Sequence, residues 1–373
     1  MRRGRSLLGG LLIGGVAMAA LSAVPSPPWT PTADLLSAPA PRGPPTQEEL
    51  LAAEIERLGA AFDGEAGIAV LDVEQGWAVD YNGAAHLPQQ SVSKLWVAIT
   101  VLNAIDRGDF ALTDTVVIHK EDLSVFHQPL RDRVGPGGYR ASIAQLLAAE
   151  IQQSDNTAND ALIRKVGGPW AVQVAIVSKS LGEIRFGPGE KEMQTRAAGL
   201  TWKPEYSFGR AFWEDREKLP AAERRAALEA YLANPPDAAS PLDIVDTLAR
   251  LQAGELLSPD STAYLLKLMA GTETGAGRLR GGLAPGWTLQ HKTGTGQVMG
   301  RLATGHNDVG LLTAPDGKVY AVAVMIGRSR ASFDTRQELM RAVARAVIAS
   351  HRPAPVIDIP PKVACGGPAN CES

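Results

Sequence analysis

Three features of the 373-residue sequence predict an α+β fold of two lobes. Alternating apolar segments suited to strands stand near the N-terminus, at Gly67–Asp72 and Gly76–Tyr81. A long middle stretch, from about residue 108 to 286, carries mainly helical periodicity. Strand-like segments and one amphipathic helix then return before the end. The first and last parts therefore share one antiparallel sheet, flanked by helices in a three-layer α/β/α arrangement, with an all-helical lobe inserted between them. Residues 46–88 and 287–353 make the α/β lobe, residues 89–286 the helical lobe, and 46–353 one domain with a site expected in the cleft.

Thr46-Gln-Glu-Glu49 has the form of a capping box, and LLAAEIERLGAAF continues it as a helix. The two early strands follow, joined by a turn around Glu74-Gln75. LPQQSVSKLWVAITVLNAI reads as a turn and an amphipathic helix opened by Ser91, with Leu95, Val97, Ala98, Val101, Leu102 and Ile105 at helical spacing. Further helices are predicted at Ile143–Ile151, Ala158–Val166, Trp170–Leu181, Ala222–Leu232, Leu242–Gly254 and Ser258–Met269. Strands are predicted at Trp287–Lys292, Asp308–Thr313 and Val319–Ile326, the last two joined by a turn at Pro315-Asp-Gly317. Phe333–Ser350 closes the domain as a helix.

Composition narrows the function. Hydrophobic residues make up 45% and charged residues 21%, as in ordinary globular proteins. A net charge of −3 without a long basic run argues against nucleic acid as a partner. The histidines at 86, 119, 127, 291, 306 and 351 form no HxH or HExxH cluster, which disfavours a zinc hydrolase; no metal or organic cofactor is expected. Arg2, Arg3 and Arg5 precede the apolar run Leu7–Ala20 and the small residues Ala19, Ala20, Ser22 and Ala23, the form of an export signal over residues 1–23. A periplasmic location is the corresponding expectation. Residues 24–45 hold eight prolines and read as a linker, and 354–373 as a Pro/Gly-rich tail. Cys365 and Cys371 in that tail could close a local disulfide or remain free thiols.

Three short motifs carry the chemistry. In Ser91-Val92-Ser93-Lys94, the lysine falls one turn after the serine and on the same face. A hydroxyl becomes a useful nucleophile once a neighbour takes its proton, and an amine in a partly desolvated site can do that or relay it. Ser154-Asp155-Asn156 offers a hydroxyl for proton transfer and an amide that can donate to a carbonyl, although all three residues also suit helix caps. His291-Lys292-Thr293-Gly294-Thr295-Gly296 ends a strand with a cation, a hydroxyl and a glycine that allows close backbone approach.

Together, in this order and at these separations, S-x-x-K, S-D-N and K-T-G make the chain resemble the class A β-lactamases and penicillin-binding proteins, from about Thr46 to Pro353. Counting 34 residues on from Asn156 reaches Glu190 in Glu190-Lys-Glu-Met-Gln194, which resembles the class A E-x-x-L-N loop with Met193 for Leu and Gln194 for Asn. The resemblance implies a serine β-lactamase acting through a Ser91 acyl-enzyme. Lys94, or Glu190 through a water, would take the Ser91 proton, and the backbone N–H groups of Ser91 and Thr295 would form the oxyanion hole. Ser154 would protonate the leaving nitrogen. Lys292, Thr293 and Arg278 would hold the substrate carboxylate beside Gly294 and Thr295, and Asn156 the side-chain amide. Glu190 would activate the hydrolytic water with help from Gln194. The chain is expected to act as a monomer, with β-lactams and possible peptidoglycan peptides as its small-molecule ligands.

The departures are also specific. The stretch from Glu190 to Pro241 is longer than the family loop and looks like added helix beside the cleft. The resemblance implies an Arg–Asp pair across that loop, with Asp237 and Arg185 as candidates. The segment QVMGRLATGH after the K-T-G motif is also long. Gln90 and Gly296 stand where some carbapenem-hydrolysing relatives have a cysteine pair, so that disulfide is absent. Phe126 or His127 is the candidate aromatic at the cleft mouth. Two alternatives are a D,D-peptidase or penicillin-binding protein that deacylates slowly, and a catalytically weak cell-wall-binding homologue.

Overall fold

The computed structural model describes residues 45–353. The segment read as an export signal, the expected linker before Pro45 and the tail with Cys365 and Cys371 lie outside the described residues. Helix α1, Gln47–Ala61, opens on the capping box: Glu49 N–H donates to Thr46 Oγ1 at 3.1 Å and Thr46 N–H to Glu49 Oε2 at 2.8 Å. Strands β1 (Gly64–Asp72), β2 (Ala78–Tyr81) and the short β3 (Leu87–Pro88) follow. A 3₁₀ turn, Gln90–Ser93, leads into α2, Lys94–Asp106. The nucleophile candidate Ser91 therefore sits in that turn rather than opening the α-helix, and tighter 3₁₀ winding still leaves Lys94 one turn away.

The middle of the chain contains β4 (Thr115–Ile118), β5 (Tyr139–Ser142), α3 (Ile143–Gln152), α4 (Asn156–Lys165) and α5 (Pro169–Ser178). Next come α6 (Glu190–Ala197), α7 (Ala211–Lys218), α8 (Ala221–Ala233), the short β6 (Ala238–Ala239), α9 (Pro241–Gln252) and α10 (Pro259–Ala270). The β4–β5 pair departs from the helical reading of this stretch; Val116 and Val117 favour a half-buried strand there. The end of the described chain supplies β7 (Thr288–Thr295), β8 (Val298–Met299), β9 (Leu302–Thr304), β10 (His306–Thr313), β11 (Val319–Ser329) and α11 (Phe333–Ser350). The extra residues after the K-T-G motif form the β8–β9 hairpin, whose second strand pairs with β11.

The main sheet runs β2-β1-β11-β10-β7, with antiparallel pairing between neighbours. It is built from the first and last strands, as the α+β reading predicts. Alternation sorts its side chains into two layers. Ile68, Val70, Leu312, Val322 and Val324 pack with α1 and α11 residues such as Ile55 and Val343. Ala69, Val309, Leu311, Ala321 and Ala323 face the helical block, where Leu95, Val97 and Ile244 are buried. Helix α2 is the centre of that block. Ten of its residues are buried, Lys94 among them, and each fully buried Leu, Val or Ile stabilises the fold by about 1.5–3 kcal/mol.

Candidate active site

The 3₁₀ turn carrying Ser91 is pinned from two sides. Asn307 Nδ2, on β10, donates to Pro88 O at 2.8 Å and Gln89 O at 2.9 Å. Gln90 N–H donates to Asp237 Oδ2 at 2.7 Å. Gln90 itself is left-handed, with φ +53°, a strained position for a residue with a side chain. This holds Ser91 at the start of the apolar helix α2, with Lys94 directly beneath it.

Lys94 is the hub. Its Nζ lies 2.7 Å from Ser91 Oγ, 2.8 Å from Asn156 Oδ1 and 2.6 Å from Glu190 Oε1, and the residue is fully buried. An ammonium has three protons, so these contacts use all of them. In that form Lys94 orients Ser91 but cannot take its proton. Transfer of one Lys94 proton to Glu190 would leave an amine facing Ser91 Oγ.

A second lysine serves a second hydroxyl. Lys292 Nζ, on β7, donates to Ser154 Oγ at 2.9 Å and Thr293 O at 2.9 Å. Burial pushes this ammonium well below the usual lysine value; the nearby Lys94 cation adds to the shift and Glu150 opposes it. Ser154 is aimed by a left-handed backbone, φ +62°, between α3 and α4. Asp155 takes the capping role: its Oδ1 accepts from Ala158 N–H at 2.8 Å and its Oδ2 from Leu130 N–H at 2.6 Å. Asn156 is fixed by donating to Val125 O at 2.8 Å.

Glu190 is the first residue of α6, a helix the sequence pattern does not predict. Gly189 turns the chain with φ +96°, and Glu190 N–H donates to Asp160 Oδ1 at 3.0 Å. Burial, reinforced by the Glu190 charge, pushes the Asp160 carboxyl above the usual range. Gln194 follows one turn after Glu190, and its Nε2 lies 3.3 Å from Glu190 Oε2. The loop is long enough to add α7 and α8 before it returns at Asp237.

On the opposite wall, Arg278 spans the ends of β7 and β10. Its Nη1 donates to Gly294 O at 2.9 Å and Asn307 O at 2.5 Å, and its Nη2 to Thr295 Oγ1 at 2.5 Å. Thr295 Oγ1 is thus occupied as an acceptor, which frees its proton for an anion in the cleft. Thr293 Oγ1 pairs with Thr274 Oγ1 at 2.7 Å. Gly294 also answers a packing demand. A side chain there would come within 2.3 Å of Gln89 O, so the glycine lets β7 pack against the Ser91 turn.

A cleft of about 300 Å³ joins these groups: Ser91, Phe126, His127, Ser154, Asn156, Glu190, Gln194, Thr274, Arg278, Thr293 and Thr295 line it. Lys94 and Lys292 lie buried behind it. Both candidates for the mouth, Phe126 and His127, line the cleft, and Phe126 stacks on Trp213 of α7 with ring centroids 5.4 Å apart. Arg185 and Asp237 do not pair with each other. Arg185 Nη1 bonds Asn234 Oδ1 at 2.7 Å, while Asp237 is met by Gln90 N–H and the Tyr231 hydroxyl. Sequence pattern does not mark Tyr231, Gln297 or Thr274 as site residues, because each reaches the site across chain separations that local patterning does not encode.

The model of a family described as "Beta-lactamase enzyme family" matches residues 50–350. The chain is 25% identical over 300 residues to Beta-lactamase VEB-1 of Pseudomonas aeruginosa, covering 80% of this chain and 89% of that protein. The crystal structure of a β-lactamase from Chitinophaga pinensis superposes with a TM-score of 0.67 at 27% identity, covering 81% of this chain and 99% of the other. An ancestral class A β-lactamase superposes with a TM-score of 0.63 at 28% identity, covering 81% and 100%. With its three motifs converging on one cleft, the chain belongs to the β-lactamase enzyme family.

Proposed function

We propose that this chain is a class A serine β-lactamase that hydrolyses the β-lactam amide through an acyl-enzyme on Ser91. The observation that carries the reading is the placement of Lys94 Nζ within hydrogen-bond reach of both Ser91 Oγ and Glu190 Oε1. Ser91 Oγ attacks the lactam carbonyl carbon while its proton passes to Lys94 or, through a water, to Glu190. The backbone N–H groups of Ser91 and Thr295 stabilise the oxyanion. The C–N bond breaks as Ser154, backed by the Lys292 cation, gives its proton to the departing nitrogen. Arg278, Thr293, Thr295 and Lys292 hold the substrate carboxylate, and Asn156 faces the acyl side-chain amide. Glu190 then takes a proton from water, whose oxygen attacks the ester and releases Ser91.

The same reading takes the domain as 46–353, residues 1–23 as a signal that sends it to the periplasm, and the active form as a monomer, with a part in antibiotic resistance. The direct contacts of Glu190 with Lys94 and Gln194 favour a hydrolase over a slowly deacylating D,D-peptidase or a weak cell-wall binder. A time course with a chromogenic cephalosporin on purified 24–373 tests the choice. Many turnovers per enzyme support the hydrolase. A single stoichiometric burst transfers the protein to the penicillin-binding reading, and no covalent adduct on Ser91 defeats both.

A further inference from the structure

The long loop after Glu190 returns to the site through one side chain. Tyr231, in the last turn of α8, is 7% exposed. Its hydroxyl meets Gln90 Nε2 on one side and Asp237 on the other, 3.0 Å from Oδ1 and 3.3 Å from Oδ2. Burial pushes Asp237 up to about 6, so it is mainly a carboxylate at neutral pH and can only accept. The single phenol proton therefore points to Asp237, and the Tyr231 oxygen accepts from the Gln90 amide. That leaves Gln90 Oε1 to accept from Gln194 Nε2 at 3.0 Å. Gln194 Nε2 has a second proton facing Glu190 Oε2, while Gln194 Oε1 accepts from Gln297 Nε2 at 3.1 Å. Each amide in this chain has one orientation, set by the carboxylates at its two ends.

We propose that Tyr231, supplied by the enlarged loop, is a positioning residue for hydrolysis of the acyl-enzyme. It acts through Gln90 and Gln194 to keep an amide N–H, rather than an amide oxygen, against Glu190 Oε2. The inference rests on the assignment of Glu190 to deacylation. The two Glu190 oxygens then divide the work: Oε1 meets Lys94 and serves acylation, while Oε2 is steered from α8 and serves the water. Without the Tyr231 hydroxyl, Gln90 can rotate, Gln194 loses its acceptor, and its carbonyl can turn onto a carboxylate that repels it.

The test compares wild type, Tyr231→Phe, Gln297→Leu and Glu190→Gln in the full chain, with rates of acylation and deacylation measured separately by stopped flow on a chromogenic cephalosporin. The rate constants are read from the exponential phases, which do not depend on the active fraction, so partial misfolding does not enter them. Tyr231→Phe is expected to slow deacylation by roughly tenfold while leaving acylation within about threefold. Gln297→Leu, which frees the Gln194 oxygen, should shift the same step. Equal losses in both steps, or deacylation unchanged in Tyr231→Phe, would overturn the inference if Glu190→Gln still accumulates acyl-enzyme. Should Glu190→Gln deacylate normally, the assignment of Glu190 falls first and the role of Tyr231 falls with it.

Discussion

Lys94 Nζ and Glu190 Oε1 are 2.6 Å apart, both side chains nearly excluded from solvent, and they are contributed by segments 96 residues apart. Removing one partner of such a pair leaves a buried charge uncompensated, at a cost of about 3–5 kcal/mol. Lys94→Ala should therefore lower stability by about that amount and slow labelling of Ser91 by roughly 10²–10⁴-fold. Chemical denaturation and labelling with a fluorescent penicillin measure the two effects. Labelling at the wild-type rate would remove Lys94 from the acylation step.

Arg278 joins β7 to β10 while facing the cleft, so charge and shape are separable there. Arg278→Ala should raise KM more than it lowers kcat. Arg278→Lys keeps the charge but loses the fork that holds Gly294 O, Asn307 O and Thr295 Oγ1, so its KM should fall between the two. An unchanged KM in Arg278→Ala would contradict the carboxylate-anchor role.

Glu150 is fully buried on α3, and neither carboxyl oxygen has a hydrogen-bond partner. Burial pushes its carboxyl well above the usual range, against the pull of Lys94 and Lys292. An apolar side chain of similar size avoids that desolvation. Glu150→Met is expected to raise unfolding free energy by about 1–3 kcal/mol in urea titrations. A loss of stability would show that the carboxylate is a needed counter-charge for the two lysines.

His306 gives a stability effect with a definite sign. Burial, with Arg278 and Arg336 adding to it, lowers its value from 6.5 to about 2. The folded state keeps the ring neutral while the unfolded chain takes up a proton below pH about 6.5. This contribution is therefore intact above that pH and lost on acidification, by about 2 kcal/mol between pH 6.5 and 5. Unfolding free energies of wild type and His306→Leu from urea titrations should diverge by this amount across that range; parallel pH dependences would exclude a neutral buried ring.

The contrast between readable and hidden features follows chain distance. Ser91 and Lys94 share one turn, so their proximity follows from local geometry, and the alternating strands identify the sheet because each face packs a separate core layer. Lys292 and Ser154 are 138 residues apart, and only the resemblance pairs them. Helix α6 is polar and starts at a glycine in a left-handed conformation, so neither hydrophobic period nor a side-chain cap announces it. Asp237 was expected to meet Arg185. The path of the enlarged loop turns Arg185 to Asn234 and brings Tyr231 to Asp237 instead. The motif that holds Gly294 is legible in the sequence; the close approach of the Gln89 carbonyl that bars a side chain there is not.

The most direct test of the central claim is intact mass after mixing a cephalosporin with wild type, Glu190→Gln and Ser91→Ala. Wild type is expected to carry no lasting adduct after substrate is exhausted, Glu190→Gln a persistent one-to-one adduct on Ser91, and Ser91→Ala none. An adduct in Ser91→Ala, or rapid release of the adduct by Glu190→Gln, would contradict that claim.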